Sequence, residues 1–339
     1  MISTDLKSAD APIFLVGATG TGKSAAAMEV ARESARAGIR TAILCMDAMQ
    51  VYRGADIGTS KPTVAERAEI PHGGLDLVEF APAAGSKPFD VAQYLKHAAA
   101  FLREQREAGR RVIVVGGTGL YFRALTRGLC EAPQGSEELR SELALLSVDE
   151  LRERLKAVDP GMLERIDAAN PRRLARAIEV MEATGRSLGE WQEETPEPLV
   201  REFTAIWIQR EKAELESRIA ARVEAMFAQG WVEEVRRLVE RNGVEAVRSF
   251  AGIGYGEIAE ELERTYGTNR IDGTGKEGPP LGTAAATTEM ATTKVKSNIV
   301  VTTRQYAKRQ LTWFAREPKL RAVMLTGNMS LSSALNDPV

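Results

Sequence analysis

The sequence predicts an α/β fold of the P-loop type: a parallel sheet flanked by helices, carrying an all-helical insertion domain. Three observations predict it. Short apolar runs alternate with helical stretches, a glycine-rich phosphate-binding motif follows the first run, and residues 131–200 carry helical periodicity without a convincing strand.

Four runs read as buried parallel strands: PIFLV (12–16), TAILCM (41–46), RVIVV (111–115) and TAIWI (204–208). A helical stretch closed by Gly38 joins the first two, and the helix DVAQYLKHAAAFLREQREAG leads into the third. Ligands gather at the carboxyl ends of strands in such sheets. That rule marks Gly17–Ser24, Asp47–Gln50, Gly116–Tyr121 and Gln209–Arg210. Residues 11–130 and 201–330 are expected to form the core, with 131–200 as the helical insertion. From 211 to 265 the pattern stays helical, broken at Gly230, Asn242–Gly243 and AGIGYG. Residues 267–297 are rich in Gly, Thr and Ala and poor in large apolar residues, which predicts a flexible low-complexity insertion. Helix resumes at VTTRQYAKRQLTWFAREPK.

A net charge of −2 excludes a globally basic nucleic-acid coat but leaves local basic patches open. The two cysteines, Cys45 and Cys130, lack metal-ligand spacing and suit a reducing cytosol. MISTDLKSAD lacks the pattern of a signal peptide, and no apolar run approaches membrane-spanning length. A cytoplasmic protein is expected.

The strongest chemical signal is VGATGTGKS, in which Gly17, Gly22, Lys23 and Ser24 complete G-x-x-x-x-G-K-[ST]. Such a loop, of the kind that binds ATP in many proteins, offers an anion its backbone N–H groups, a helix N-terminus and a lysine; Ser24 can ligand Mg²⁺. The phosphates could belong to a nucleotide to be hydrolysed, a group to be transferred or a leaving group. Asp47, at the end of the second strand, suits an acid on Mg²⁺, a general base or a turn aspartate. In GGTGLY the glycines permit tight turns and Thr118 offers a hydroxyl. Arg172, Arg173 and Arg176 share one helix side in NPRRLARAIEV. Between 302 and 321, Arg304, Lys308, Arg309, Arg316, Lys319 and Arg321 alternate with Tyr306, Trp313 and Phe314. Basic residues interleaved with aromatics suit RNA, although each patch alone also fits a solvated helix face. His72 and His97 show no partner pattern and read as structural.

Taken in order, GATGTGKS, MDAMQVYRGADIGTSKP, IPH, FDVAQY, VVGGTGLYFRAL, NPRRLARAIEV, GIGYGE and TTRQYAKRQLTWF resemble the tRNA dimethylallyltransferases, the IPP transferase family. The resemblance covers roughly residues 12–265 and 299–316. It implies transfer of a dimethylallyl group from dimethylallyl diphosphate to N6 of the adenine 3′-adjacent to the anticodon, position 37, in tRNAs reading codons that begin with U. Pyrophosphate is released, so the loop would hold a leaving group.

By the same matching, Gly17, Ala18, Thr19, Gly20, Thr21, Gly22, Lys23 and Ser24 would bind the diphosphate, with Mg²⁺ on Ser24. Asp47 would be the base, assisted by Thr19, Lys23, Arg218 and Arg222. Contacts to tRNA would come from Asp47, Ala48, Met49, Gln50, Thr118, Arg140, Arg172, Arg173, Arg176, Gly254 and Tyr255 in the AGIGYG turn, and Thr303–Gln310, with Arg304, Lys308 and Arg309 as its cations. The insertion 131–200 would grip the anticodon stem-loop, and the enzyme would be a monomer. The chain departs from the family pattern at Ala18, Gly73, Gly256 and Glu257. Competing expectations are an adenylate isopentenyltransferase acting on free nucleotides, a P-loop small-molecule kinase or NTPase, and an RNA-binding module without chemistry.

Overall fold

The computed structural model describes residues 11–80, 89–266 and 293–336. Six strands form one parallel sheet: β1 (Ile13–Gly17), β2 (Thr41–Met46), β3 (His72–Gly73), β4 (Arg111–Gly116), β5 (Thr204–Gln209) and β6 (Arg321–Met324). Their order is β3-β2-β4-β1-β5-β6. Four of them are the apolar runs of the sequence. β1, β2 and β4 are buried along their whole length, which is why they read as continuous rather than alternating. The two edge strands left no such trace: β3 is two residues long, and in β6 only Val323 is buried.

The helices of the first half are α1 (Lys23–Arg36), α2 (Val64–Glu69), α3 (Val91–Glu107) and α4 (Gly119–Arg127). Then come α5 (Glu137–Leu145), α6 (Val148–Val158), α7 (Pro160–Arg165), α8 (Pro171–Thr184) and α9 (Leu188–Glu193). The series ends with α10 (Lys212–Ala228), α11 (Trp231–Asn242), α12 (Val244–Arg248), α13 (Tyr255–Tyr266), α14 (Thr293–Phe314) and α15 (Leu331–Asn336).

Alternation along β1 sends Ile13 and Leu15 to one face of the sheet, packed with Ala27, Val30 and Ala31 of α1 and Leu331 of α15. Phe14 points the other way, edge-on to Phe122 and Phe203 at 5.4 and 5.2 Å. A second core joins α10–α14 through Val223, Trp231, Val235, Leu238, Tyr255, Ile258 and Ile299.

The chain divides into two compact units, one of them Arg123–Arg201. That unit packs α5–α9 around Leu143, Leu151, Leu155, Met162, Leu174 and Ile178. Its helices start where side chains cap them: Ser136, Ser147, Asp159, Asn170 and Ser187 each accept a backbone N–H. It includes residues before 131 because the Val200 N–H donates to the Leu125 carbonyl at 2.9 Å and Arg176 grips the carbonyls of Ala132 and Pro133.

Of the flexible insertion expected at 267–297, residues 267–292 lie outside the described residues. Residues 293–297 correct that expectation: they are the first turn of α14, where Val295 is buried against the second core.

Candidate active site

A cavity of about 390 Å³ opens at the carboxyl ends of β1, β2 and β4. Its polar lining includes Thr19, Lys23, Ser24, Asp47, Arg222 and Arg309; Ile219, Val223, Met226, Trp231 and Ile299 supply an apolar wall.

The phosphate loop is shaped by glycine. Gly20 and Gly22 have φ of 85° and 92°, in the left-handed region. A Cβ at Gly17 would lie 2.6 Å from the Ile208 carbonyl oxygen. The Thr21 hydroxyl donates to the Ala18 carbonyl at 2.9 Å, and Lys23 Nζ reaches the same oxygen at 3.3 Å. α1 begins at Gly22 with no side-chain cap, so its N-terminal amides remain available to an anion. Ala18 and Thr21 are fully buried, so their side chains shape the loop rather than meet a ligand.

Three side chains from distant segments hold the loop from outside. Arg210 Nε donates to the Thr21 carbonyl at 2.9 Å, Arg218 Nε to the Gly20 carbonyl at 3.1 Å, and Gln310 Oε1 accepts from the Thr19 N–H at 2.8 Å. This separates two arginines that sequence leaves equivalent. Arg218 grips loop backbone, whereas Arg222, one turn further along α10, lines the cavity. Burial lowers the Arg222 pKa below the ordinary guanidinium value, against the opposing pull of the Asp47 carboxylate. Lys23 falls to about 8: burial lowers it most, then Arg222, while Asp47 raises it.

Asp47 follows β2 and faces the cavity. Its Oδ1 accepts from the Met49 N–H at 2.9 Å, and the neighbouring Ala48 N–H donates to Thr118 Oγ1 at 3.1 Å. Among the described residues Oδ2 takes no protein hydrogen bond. Thr118 thus holds the Asp47 turn. The glycines of GGTG serve close packing: a Cβ at Gly117 would lie 2.2 Å from Gln310 Nε2, and one at Gly119 2.3 Å from the Trp313 ring.

The expected RNA contacts sort into free and committed groups. Met49 and Ala48 line the cavity; Gln50 does too, but its amide donates to the carbonyls of Thr59 and Ser60. Arg304 and Lys308 are exposed on α14, as is Arg309, whose guanidinium lies 5.7 Å from the Tyr306 ring centroid. In the helical unit, Arg140, Arg172 and Arg173 are exposed.

Three expectations need correction. Tyr255 is fully buried and its hydroxyl donates to Glu234 at 2.7 Å. Gly254 is buried too, in the left-handed region at φ 93° and pressed against Trp231. Arg176 is spent on the Ala132 and Pro133 carbonyls, at 2.6 and 3.0 Å, and on Glu179 at 2.8 Å. Tyr255 and Gly254 are closed off from RNA, and both terminal nitrogens of Arg176 are already engaged. Two departures from the family pattern also find local reasons. The Glu257 carboxylate accepts the Gly254 N–H at 2.9 Å, and a Cβ at Gly73 would lie 2.5 Å from the Phe101 ring.

Sequence reasoning passed over Glu234. Its buried carboxylate accepts from the N–H groups of Asp56, Ile57 and Gly58 at 3.0, 2.7 and 3.3 Å, fixing a loop whose next residues line the cavity. A signal existed: Glu234 lies between Trp231 and Leu238 on the apolar side of α11, where a charge needs a partner. Gln310 left a similar trace, sharing the buried side of α14 with Ala307 and Phe314.

Among the described residues no cluster of three or more His, Cys, Asp or Glu could hold a metal ion. Mg²⁺ does not require one, since it is commonly held by one or two protein groups, substrate phosphates and water. Ser24, in the first turn of α1, lines the cavity and presents a hydroxyl that fits such an ion beside substrate phosphates and water.

The family model described as IPP transferase matches residues 50–317. A tRNA dimethylallyltransferase of Methylacidiphilum infernorum is 41% identical over 307 residues, covering 91% of this chain and 83% of its own. One from Syntrophobacter fumaroxidans is 36% identical over 322 residues, covering 92% and 83%. The solved full-length tRNA isopentenylpyrophosphate transferase of Bacillus halodurans is 27% identical with a TM-score of 0.58, covering 93% of this chain and 90% of that one.

Proposed function

This chain belongs to the IPP transferase family, and from that premise we propose that it transfers a dimethylallyl group from dimethylallyl diphosphate to N6 of the adenine 3′-adjacent to the anticodon, position 37, in tRNAs reading codons that begin with U. One observation carries the reading. A phosphate loop with two cations, Lys23 and Arg222, shares one cavity with the Asp47 carboxylate and an apolar wall. A leaving diphosphate, a proton acceptor and a place for a five-carbon chain are what the reaction requires.

The chemistry balances within those residues. N6 of the adenine attacks C1 of the allyl group, the C1–O bond breaks, and its electron pair leaves on pyrophosphate. The N6 proton passes to Asp47, whose Oδ2 is free to take it. Lys23, Arg222 and the loop amides stabilise the negative charge that grows on the departing oxygen. Ser24 would hold Mg²⁺, which when bound would neutralise part of the diphosphate charge. The exposed Arg140, Arg172, Arg173, Arg304, Lys308 and Arg309 serve the RNA backbone, and the target base is flipped out of its stack to reach the cavity. The same reading takes the enzyme to be a cytoplasmic monomer.

The deciding assay supplies purified protein, Mg²⁺, labelled dimethylallyl diphosphate and an unmodified anticodon stem-loop, with AMP and ATP as parallel substrates. Label on the stem-loop, lost in Asp47→Ala, supports the reading. Label on AMP alone, or ATP hydrolysis without transfer, would replace it.

A further inference from the structure

We propose that Gln310 is a positioning residue that sets the spacing between the leaving-group site and the proton acceptor; its catalytic consequence rests on the reading above. The Gln310 side chain is buried and uses both ends of its amide. Oε1 accepts from the Thr19 N–H at 2.8 Å, and Nε2 donates to the Gly117 carbonyl at 2.9 Å. The next residue, Thr118, accepts the Ala48 N–H at 3.1 Å, and Ala48 adjoins Asp47. A continuous tie therefore runs from the phosphate loop through Gln310 and Gly117–Thr118 to the Asp47 turn.

The tie is specific to an amide. Thr19 presents a donor and Gly117 an acceptor, so the bridging group must accept at one end and donate at the other. A carboxylate would set an oxygen against the Gly117 carbonyl, and a hydrocarbon would leave that buried carbonyl without its donor and the Thr19 N–H without its acceptor. Gly117 is itself fitted to this contact, since any Cβ there would occupy the place of Nε2. Because α14 also carries Arg304, Lys308 and Arg309, the helix that presents cations to the RNA also fixes the distance between the reacting groups.

The test is a double-mutant cycle of Gln310→Leu and Thr118→Val, with Gln310→Glu as the variant that keeps size and one acceptor. Single-turnover transfer to the stem-loop, affinity for inorganic pyrophosphate, affinity for the stem-loop and the exchange rate of the Thr19 amide are measured for each. The expected result is a rate loss of about 10- to 100-fold in Gln310→Leu, with both affinities within about threefold of wild type and the double variant no slower than the worse single one. Gln310→Glu should keep the Thr19 amide protected yet lose rate, because its far end no longer donates. Multiplicative losses in the double variant, or an unchanged rate in Gln310→Leu or Gln310→Glu, would overturn the proposal. If the wild-type protein transfers nothing, the functional reading falls instead; unchanged Thr19 exchange in Gln310→Leu would then refute the tie on its own terms.

Discussion

Two helices, α10 in the core unit and α8 in the helical unit, each carry closely spaced arginines that look interchangeable in sequence. In α10, Arg218 donates to a loop carbonyl while Arg222 faces the cavity. In α8, Arg176 is consumed by the Ala132 and Pro133 carbonyls and by Glu179, while Arg172 and Arg173 stay exposed. The same division of labour appears in two unrelated settings. An arginine with backbone carbonyls in reach becomes part of the frame, because those carbonyls otherwise lack donors. Its neighbour one turn away remains free for a ligand.

The sharpest way to break this comparison is to remove one member of each pair. Arg222→Met is expected to lower the transfer rate by about 10²- to 10³-fold, the size of loss typical when a group stabilising developing charge is deleted. Its melting temperature should hold, because burial already works against the charged form there. Arg218→Met should do the reverse, melting earlier while losing about tenfold or less in rate. Single-turnover kinetics beside thermal melts check both. Equal rate losses would show that the division does not exist in α10.

Lys23 sharpens the cavity side through pH. Its pKa of about 8 lies below the ordinary lysine value of 10.5, so the folded protein penalises the charged form. That penalty is complete below pH 8 and fades as pH rises towards 10.5. Lys23→Met should therefore melt later than wild type at pH 7, an advantage that shrinks above pH 8. Binding runs the other way, since an anion wants the lysine charged. The ratio of wild-type to Lys23→Met pyrophosphate affinity, in which the ligand's own ionisation cancels, should be flat below pH 8 and fall above it, approaching about tenfold per pH unit. Calorimetric titration of both proteins across pH 6–10 measures that ratio.

What the sequence disclosed follows from how each feature is encoded. The phosphate loop, Asp47 and the central strands were legible because contiguous residues or uniform burial define them. Tyr255 and Arg176 misled because a residue's type does not say whether its polar atoms are already paired: Glu234 comes to Tyr255 from another helix, and the Ala132 carbonyl comes to Arg176 from 44 positions away. Gln310 was visible as part of a basic helix but not as a bridge, since its partners, Thr19 and Gly117, lie 291 and 193 positions distant. The edge strands β3 and β6 were missed for the opposite reason, being too short or too exposed to form an apolar run.

In the helical unit the contrast is smaller and reads out in stability. Arg176→Met should cost about 1–3 kcal/mol, because it strips donors from two carbonyls and leaves the buried Glu179 with the Gly135 N–H as its remaining partner. Denaturant unfolding measures the loss, and stem-loop affinity measured well below the melting transition should hardly change.

The smallest effects belong to Arg172 and Arg173, and they complete the comparison. Both are exposed, so alanine at either should leave unfolding within about 0.5 kcal/mol of wild type. If they meet RNA phosphates, each substitution releases about one fewer counterion on binding. The slope of log affinity against log salt should then flatten by about 1 per arginine, while affinities for different stem-loop sequences weaken together. Arg176→Met should leave that slope alone. A slope that responds to Arg176 and ignores Arg172 and Arg173 would reverse the assignment, placing the framework role on the exposed pair and the ligand role on the residue whose guanidinium already holds two carbonyls and a carboxylate.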